Sequence, residues 1–76
     1  MIKNRLSAIL GEKRITQKEL SEMTGIRPNT INDMYHEMAE RVSLDHLSRI
    51  CEVLDIELSE LLVYKPNRIK RDWENE

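Results

Sequence analysis

The sequence predicts an all-α domain of five short helices. Apolar residues recur at three- and four-residue spacing, as in Leu6, Ile9 and Leu10 or Leu47, Ile50, Cys51 and Leu54. That period lines one face of a helix. The breaks between these stretches carry helix-end chemistry: Thr16 and Ser43 ahead of apolar runs, Gly25 behind one, and Pro28 opening the next.

Seventy-six residues allow one domain with a small core, a size at which a partner subunit helps stability. A composition 39% hydrophobic and 34% charged is too apolar for a disordered chain. The single cysteine, Cys51, excludes an internal disulfide and leaves no Cys/His set for structural zinc. No apolar run approaches a signal segment or a membrane span, so a cytoplasmic protein with no membrane partner is expected.

The formal charge of −2 argues at first against a polyanionic partner, but it is unevenly distributed. Residues 1–32 hold Lys3, Arg5, Lys13, Arg14, Lys18 and Arg27 against Glu12, Glu19 and Glu22. Residues 33–64 hold Arg41 and Arg49 against eight acids. The N-terminal half is thus the part suited to approach phosphates.

Taken in order, Ile2, Leu6, Ile9 and Leu10 predict a first amphipathic helix over roughly 2–13, weakened by Gly11 by about 1 kcal/mol relative to alanine. Thr16-Gln17-Lys18-Glu19 has the pattern of a capping box, with Ile15 and Leu20 as the hydrophobic staple, and opens a second helix ending near Thr24. Gly25 supplies the positive φ that ends it. Pro28 suits the first position of a third helix over roughly 28–36 and pushes Arg27 into the extended N-cap conformation. Ile31 and Met34 then turn inward, leaving Asn29, Asn32, Asp33 and His36 on the outer face.

A polar loop spans roughly 37–42. Ser43 caps a fourth helix with an inner stripe of Leu44, Leu47, Ile50, Cys51 and Leu54, and Val42 staples to Leu47. Asp55-Ile56-Glu57 breaks this helix, and a short fifth contains Leu58, Leu61 and Leu62. Residues 1–64 form the expected domain. Residues 65–76 are a charged tail without apolar period, in which Arg68-Ile69-Lys70-Arg71 is nearly balanced by Asp72, Glu74 and Glu76. Cys51 is expected as a small buried hydrophobe, Met23, Met34 and Met38 as core filler, and His46 as a surface residue without a partner.

The second helix, a short turn and the third helix make a helix-turn-helix. Leu20, Ile31 and Met34 supply its apolar wedge, Ser21 is small at the crossing, and Gly25 takes the special backbone position. Residues 16–34, TQKELSEMTGIRPNTINDM, resemble the DNA-binding motif of phage repressor, Cro and Xre-like regulators, and the resemblance runs over about 2–64. It implies a five-helix, lambda-repressor-like domain binding operator DNA as a homodimer. It implies that Gln17 anchors a phosphate, that Arg27, Asn29 and Asp33 meet bases, and that Thr30 lies near the backbone. Two departures stand out. Arg14 occupies a position where a glycine is common, and 35–41 replaces the family's frequent Asn-Gly-Lys/Arg with YHEMAER.

Physical chemistry supports the same assignments. Helix amide ends favour phosphate oxygens, and a helix in the major groove presents its first turn to base edges. Asn29 suits adenine and Arg27 suits guanine or a phosphate; Asp33 can accept from cytosine N4, though it also repels phosphates. Arg41 is a candidate backbone clamp. Each of these has a plainer reading as a solvated polar residue. Leu58, Leu62, Val63 and Tyr64 are candidates for the dimer surface.

The sequence carries no nucleophile–base pair, metal cluster or phosphate-binding glycine loop, so neither an enzyme nor a cofactor, metal or small-molecule substrate is expected. The segment His36-Glu37-Met38-Ala39-Glu40 lacks the second histidine of a zinc-protease helix. The expected function is an operator-binding transcriptional regulator, most simply a repressor. The alternative is an interaction module, such as an antirepressor or antitoxin, that kept the fold without operator binding.

Overall fold

A computed structural model describes residues 1–66. The element order is β1 (Ile2–Asn4), α1 (Leu6–Lys13), α2 (Gln17–Thr24), α3 (Pro28–Tyr35), α4 (Leu44–Leu54), α5 (Leu58–Leu61) and β2 (Leu62–Tyr64). The domain is mostly helical, of helix-turn-helix type, with a minor two-stranded sheet. Residues 67–76, on which most of the charged-tail expectation falls, lie outside the described part.

Two boundaries differ from the sequence reading, for one reason. Ile2–Asn4 is not the first turn of α1, and Leu62 does not extend α5. The two segments pair antiparallel, Ile2 opposite Tyr64, Lys3 opposite Val63 and Asn4 opposite Leu62. Arg5 N–H donates to the Leu61 carbonyl at 2.7 Å, and Lys65 N–H to the Met1 carbonyl at 2.8 Å, so the pairing runs just past both strands. Apolar spacing at 2, 6 and 9 fits a helix, but a partner strand 60 residues away satisfies this backbone instead. Ile2 is accordingly 71% exposed.

The helix ends follow local chemistry. Thr16 Oγ accepts from Glu19 N–H at 3.0 Å and Glu19 Oε1 from Thr16 N–H at 3.1 Å, the reciprocal capping box. Ser43 Oγ accepts from His46 N–H at 3.4 Å. Gly25 closes α2 at φ 73°. Arg14 and Asp55 adopt the same left-handed conformation at the ends of α1 and α4, at φ 54° and 53°, without glycine.

The core is one cluster: Leu6, Ile9, Leu10, Leu20, Ile26, Ile31, Met34, Leu47, Ile50, Leu54 and Leu61. Every helix contributes to it, and the wedge of Leu20, Ile31 and Met34 is completely or almost completely buried. Four inward expectations fail. Leu44 is 81% exposed, Met23 and Met38 are exposed, and Cys51 is half-buried beside Leu44, Leu47, Ser48 and Leu58 in a surface groove. Leu44 is the first residue of α4, and only one turn further along does the stripe reach the core.

Candidate nucleic-acid interface

The turn between α2 and α3 is held by bonds from three directions. Gly25 N–H donates to the Ser21 carbonyl at 2.9 Å, and Ser21 Oγ donates to the Ile26 carbonyl. Thr24 is a buried polar residue with both roles of its hydroxyl engaged. It donates to the Leu20 carbonyl at 2.7 Å and accepts from Ile26 N–H at 3.2 Å. From α4, Arg49 Nη1 donates to the Thr24 carbonyl at 3.2 Å. Ile26 plugs the turn into the core, and the chain direction entering α3 is thereby fixed.

Arg27 is the N-cap of α3, extended at φ −60° and ψ 142°, as expected from Pro28 after it. Its exposed side chain makes no capping bond. Burial of Ile31 and Met34 sets the rotation of α3, so Asn29, Asn32 and Asp33 are exposed and Thr30 is half-buried. Asn29 and Asp33 stand one helical turn apart on this open face.

Gln17 is the first residue of α2 and half-buried. Arg41 lies in the loop before α4, exposed. It meets Thr30 and Asp33 across a cleft of about 510 Å³, whose walls also include Ser43 and His46. Thr30, Asp33 and Arg41 are thus gathered around one cleft, with Arg27 and Asn29 ahead of it at the start of α3. Gln17 does not line it.

His46 has a closer relation to this surface than its sequence context implied. It is half-buried in the cleft wall, three residues after the Ser43 cap that positions it. Lys13, Arg14 and Lys18 also surround the start of α2, all exposed. The sequence places Arg14 where a glycine is common and Lys18 inside the Thr16–Glu19 box, but gives none of the three a contact with DNA. Arg14 turns the chain between α1 and α2 in the left-handed conformation, at φ 54°.

Residues 5–67 match the family model of the Cro/C1-type helix-turn-helix DNA-binding domain. The chain belongs to this family. A solved structure of a candidate DNA-binding protein from Bacteroides fragilis is similar, with 32% identity and a TM-score of 0.74; the match covers 83% of this chain and all of that one. No match is found among curated proteins.

Cro/C1-type domains are DNA-binding modules and are typically non-enzymatic. Within this one, the described residues include no group of three or more His, Cys, Asp or Glu side chains arranged to hold a metal ion. None of their helices is long and apolar enough to cross a membrane.

Proposed function

We propose that this Cro/C1-type domain is a cytoplasmic transcriptional regulator that reads the major groove of an operator with α3 and acts as a repressor. The observation that carries the reading is the first turn of α3. It holds Arg27, with no capping bond, and Asn29, both exposed at the head of a helix whose opposite face is locked in the core. Arg27 and Asn29 meet base edges, and Asp33 reads one turn further on. Gln17 at the amide end of α2 holds a phosphate, while Thr30 and Arg41 approach the backbone from the cleft they share.

Such a small domain covers few base pairs, so the reading includes a homodimer on a pseudo-palindromic operator. Leu58 and Tyr64 are exposed and Leu62 and Val63 half-buried at one end of the domain, where a second copy would bury apolar surface. In this reading residues 1–64 are the binding domain and 65–76 a charged extension. A second reading is favoured by the acidic balance of residues 33–64: a protein-interaction module, such as an antirepressor or antitoxin, without operator binding.

Selection of bound duplexes from a random pool, followed by titration of the winning duplex across salt, tests both. Operator binding predicts an enriched motif with two-fold symmetry and affinity that falls steeply with salt. No enriched motif and no duplex binding at low salt would leave the interaction module standing.

A further inference from the structure

We infer that the cleft between the two-stranded sheet and α1 is a second DNA-backbone contact, taking phosphates at the trailing end of α3. This rests on the DNA-binding reading above. The cleft, of about 570 Å³, is lined by Lys3, Arg5 and Lys65, with Ser7, Tyr64 and Glu37 among the other walls. Its cations come from segments far apart in sequence. β1 and the residue after it carry Lys3 and Arg5, and antiparallel pairing brings Lys65 next to them, its amide 2.8 Å from the Met1 carbonyl.

These charges are available. Among the described residues, Lys3 and Lys65 have no ion-pair partner. Arg5 reaches Glu12 at 3.9 Å, with the two side chains 46% and 71% exposed, and a pair this open to water holds weakly. The one acid in the cleft wall, Glu37, has its Oε1 accepting from Asn4 N–H at 3.3 Å.

Position and charge balance point to the same ligand. Glu37 lies two residues past the end of α3, so the cleft opens where α3 finishes. An eight-residue helix is about 12 Å long, and the major groove is about 12 Å wide. A helix whose first turn meets base edges therefore brings its far end to the sugar–phosphate wall. α3 has no basic residue of its own between Pro28 and Tyr35. Beyond it the described cations are Arg41, Arg49 and Lys65, and Arg49 is engaged with Thr24 and Asp45. Arg41 serves the cleft it shares with Thr30 and Asp33, and among the described residues the sheet cleft supplies the further cations at this end.

The test measures the dependence of duplex affinity on salt for the wild-type chain, Lys3→Gln, Lys65→Gln and the charge-conserving Lys3→Arg and Lys65→Arg. Each lysine that meets a phosphate contributes a slope of about one in log K against log salt. The expected result is a slope about one unit shallower for each glutamine variant, unchanged base preference, and wild-type slopes for both arginine variants. Wild-type slopes in the glutamine variants would overturn this contact while leaving the α3 reading intact. Absence of duplex binding by the wild-type chain at any salt would overturn both.

Discussion

Arg49 reaches from α4 to the carbonyl of Thr24, 3.2 Å from Nη1, and so closes the C-terminal end of α2 from outside the helix-turn-helix. The last carbonyls of a helix lack partners within it, and this one lies beside the turn that aims α3. Asp45, 3.0 Å from Nη2 on the same helix, holds the guanidinium in place. The pair itself is exposed and adds little stability; its use is to orient the donor.

Arg49→Met should therefore cost about 1 kcal/mol, the scale of one net hydrogen bond from a charged donor near the surface. Urea unfolding gives the number. Amide exchange would show whether the loss is concentrated at Gly25 and Ile26, as a local role requires.

Gly25→Ala should cost about 1–2 kcal/mol, the penalty for a side chain in left-handed backbone. The cause is conformation rather than space, because an added Cβ would stand 3.7 Å from Arg49 Nη1, an ordinary contact. Gly25→Asn should cost less than alanine, since asparagine tolerates this region better. Equal losses for the two variants, measured by thermal unfolding, would point instead to crowding.

Thr16→Ala removes the acceptor for Glu19 N–H and one half of the capping box. A loss of about 1 kcal/mol is expected. Thr16→Ser should recover most of it, a comparison made in the same denaturation assay.

On DNA, Asn29→Ala should lower affinity by about 1–3 kcal/mol and relax preference at one base position. Gln17→Ala should weaken binding evenly across sequences, as loss of a phosphate contact does. Competition with single-base variants of the selected duplex separates the two patterns. An even loss from both substitutions would contradict the division between base and backbone contacts.

The Cys51 thiol has its pKa raised, first by burial in the groove and then by the negative charge of Glu60. Both disfavour the thiolate, so at mildly alkaline pH the thiol should alkylate more slowly than a free cysteine. Glu60→Gln removes the charge and keeps an oxygen able to accept from Glu57 N–H, a bond of 2.7 Å in the wild-type chain. It should speed alkylation with little change in fold, followed by iodoacetamide labelling across pH. An unchanged rate would remove Glu60 from the account.

Elements whose determinants lie within a few residues were legible from the sequence. The Thr16–Glu19 box, the Gly25 stop, Arg27 as the N-cap ahead of Pro28, and the inward pair Ile31 and Met34 all stand where spacing and capping chemistry put them. The open face of α3 followed from the same pair, because burying two residues one turn apart fixes what the others present. Leu44 misled, since periodicity says which residues share a face but not how far along a helix the neighbours extend. His46 and Arg49 were missed for a related reason. Their partners, the α3 cleft and the Thr24 carbonyl, are distant in sequence and leave no local signature.

Local sequence, then, determined the helix-turn-helix: where it starts and stops, which residues wedge it together, and which side chains its third helix offers to a ligand. Tertiary structure decided the ends of the chain. Ile2–Asn4 and Leu62–Tyr64 carry helical spacing or none, and they become strands because each supplies the backbone donors and acceptors the other needs. That pairing also gathers Lys3, Arg5 and Lys65 into one basic cleft. Hydrogen bonding between segments so far apart depends on the folded core to bring them together, and short-range preference carries no information about it.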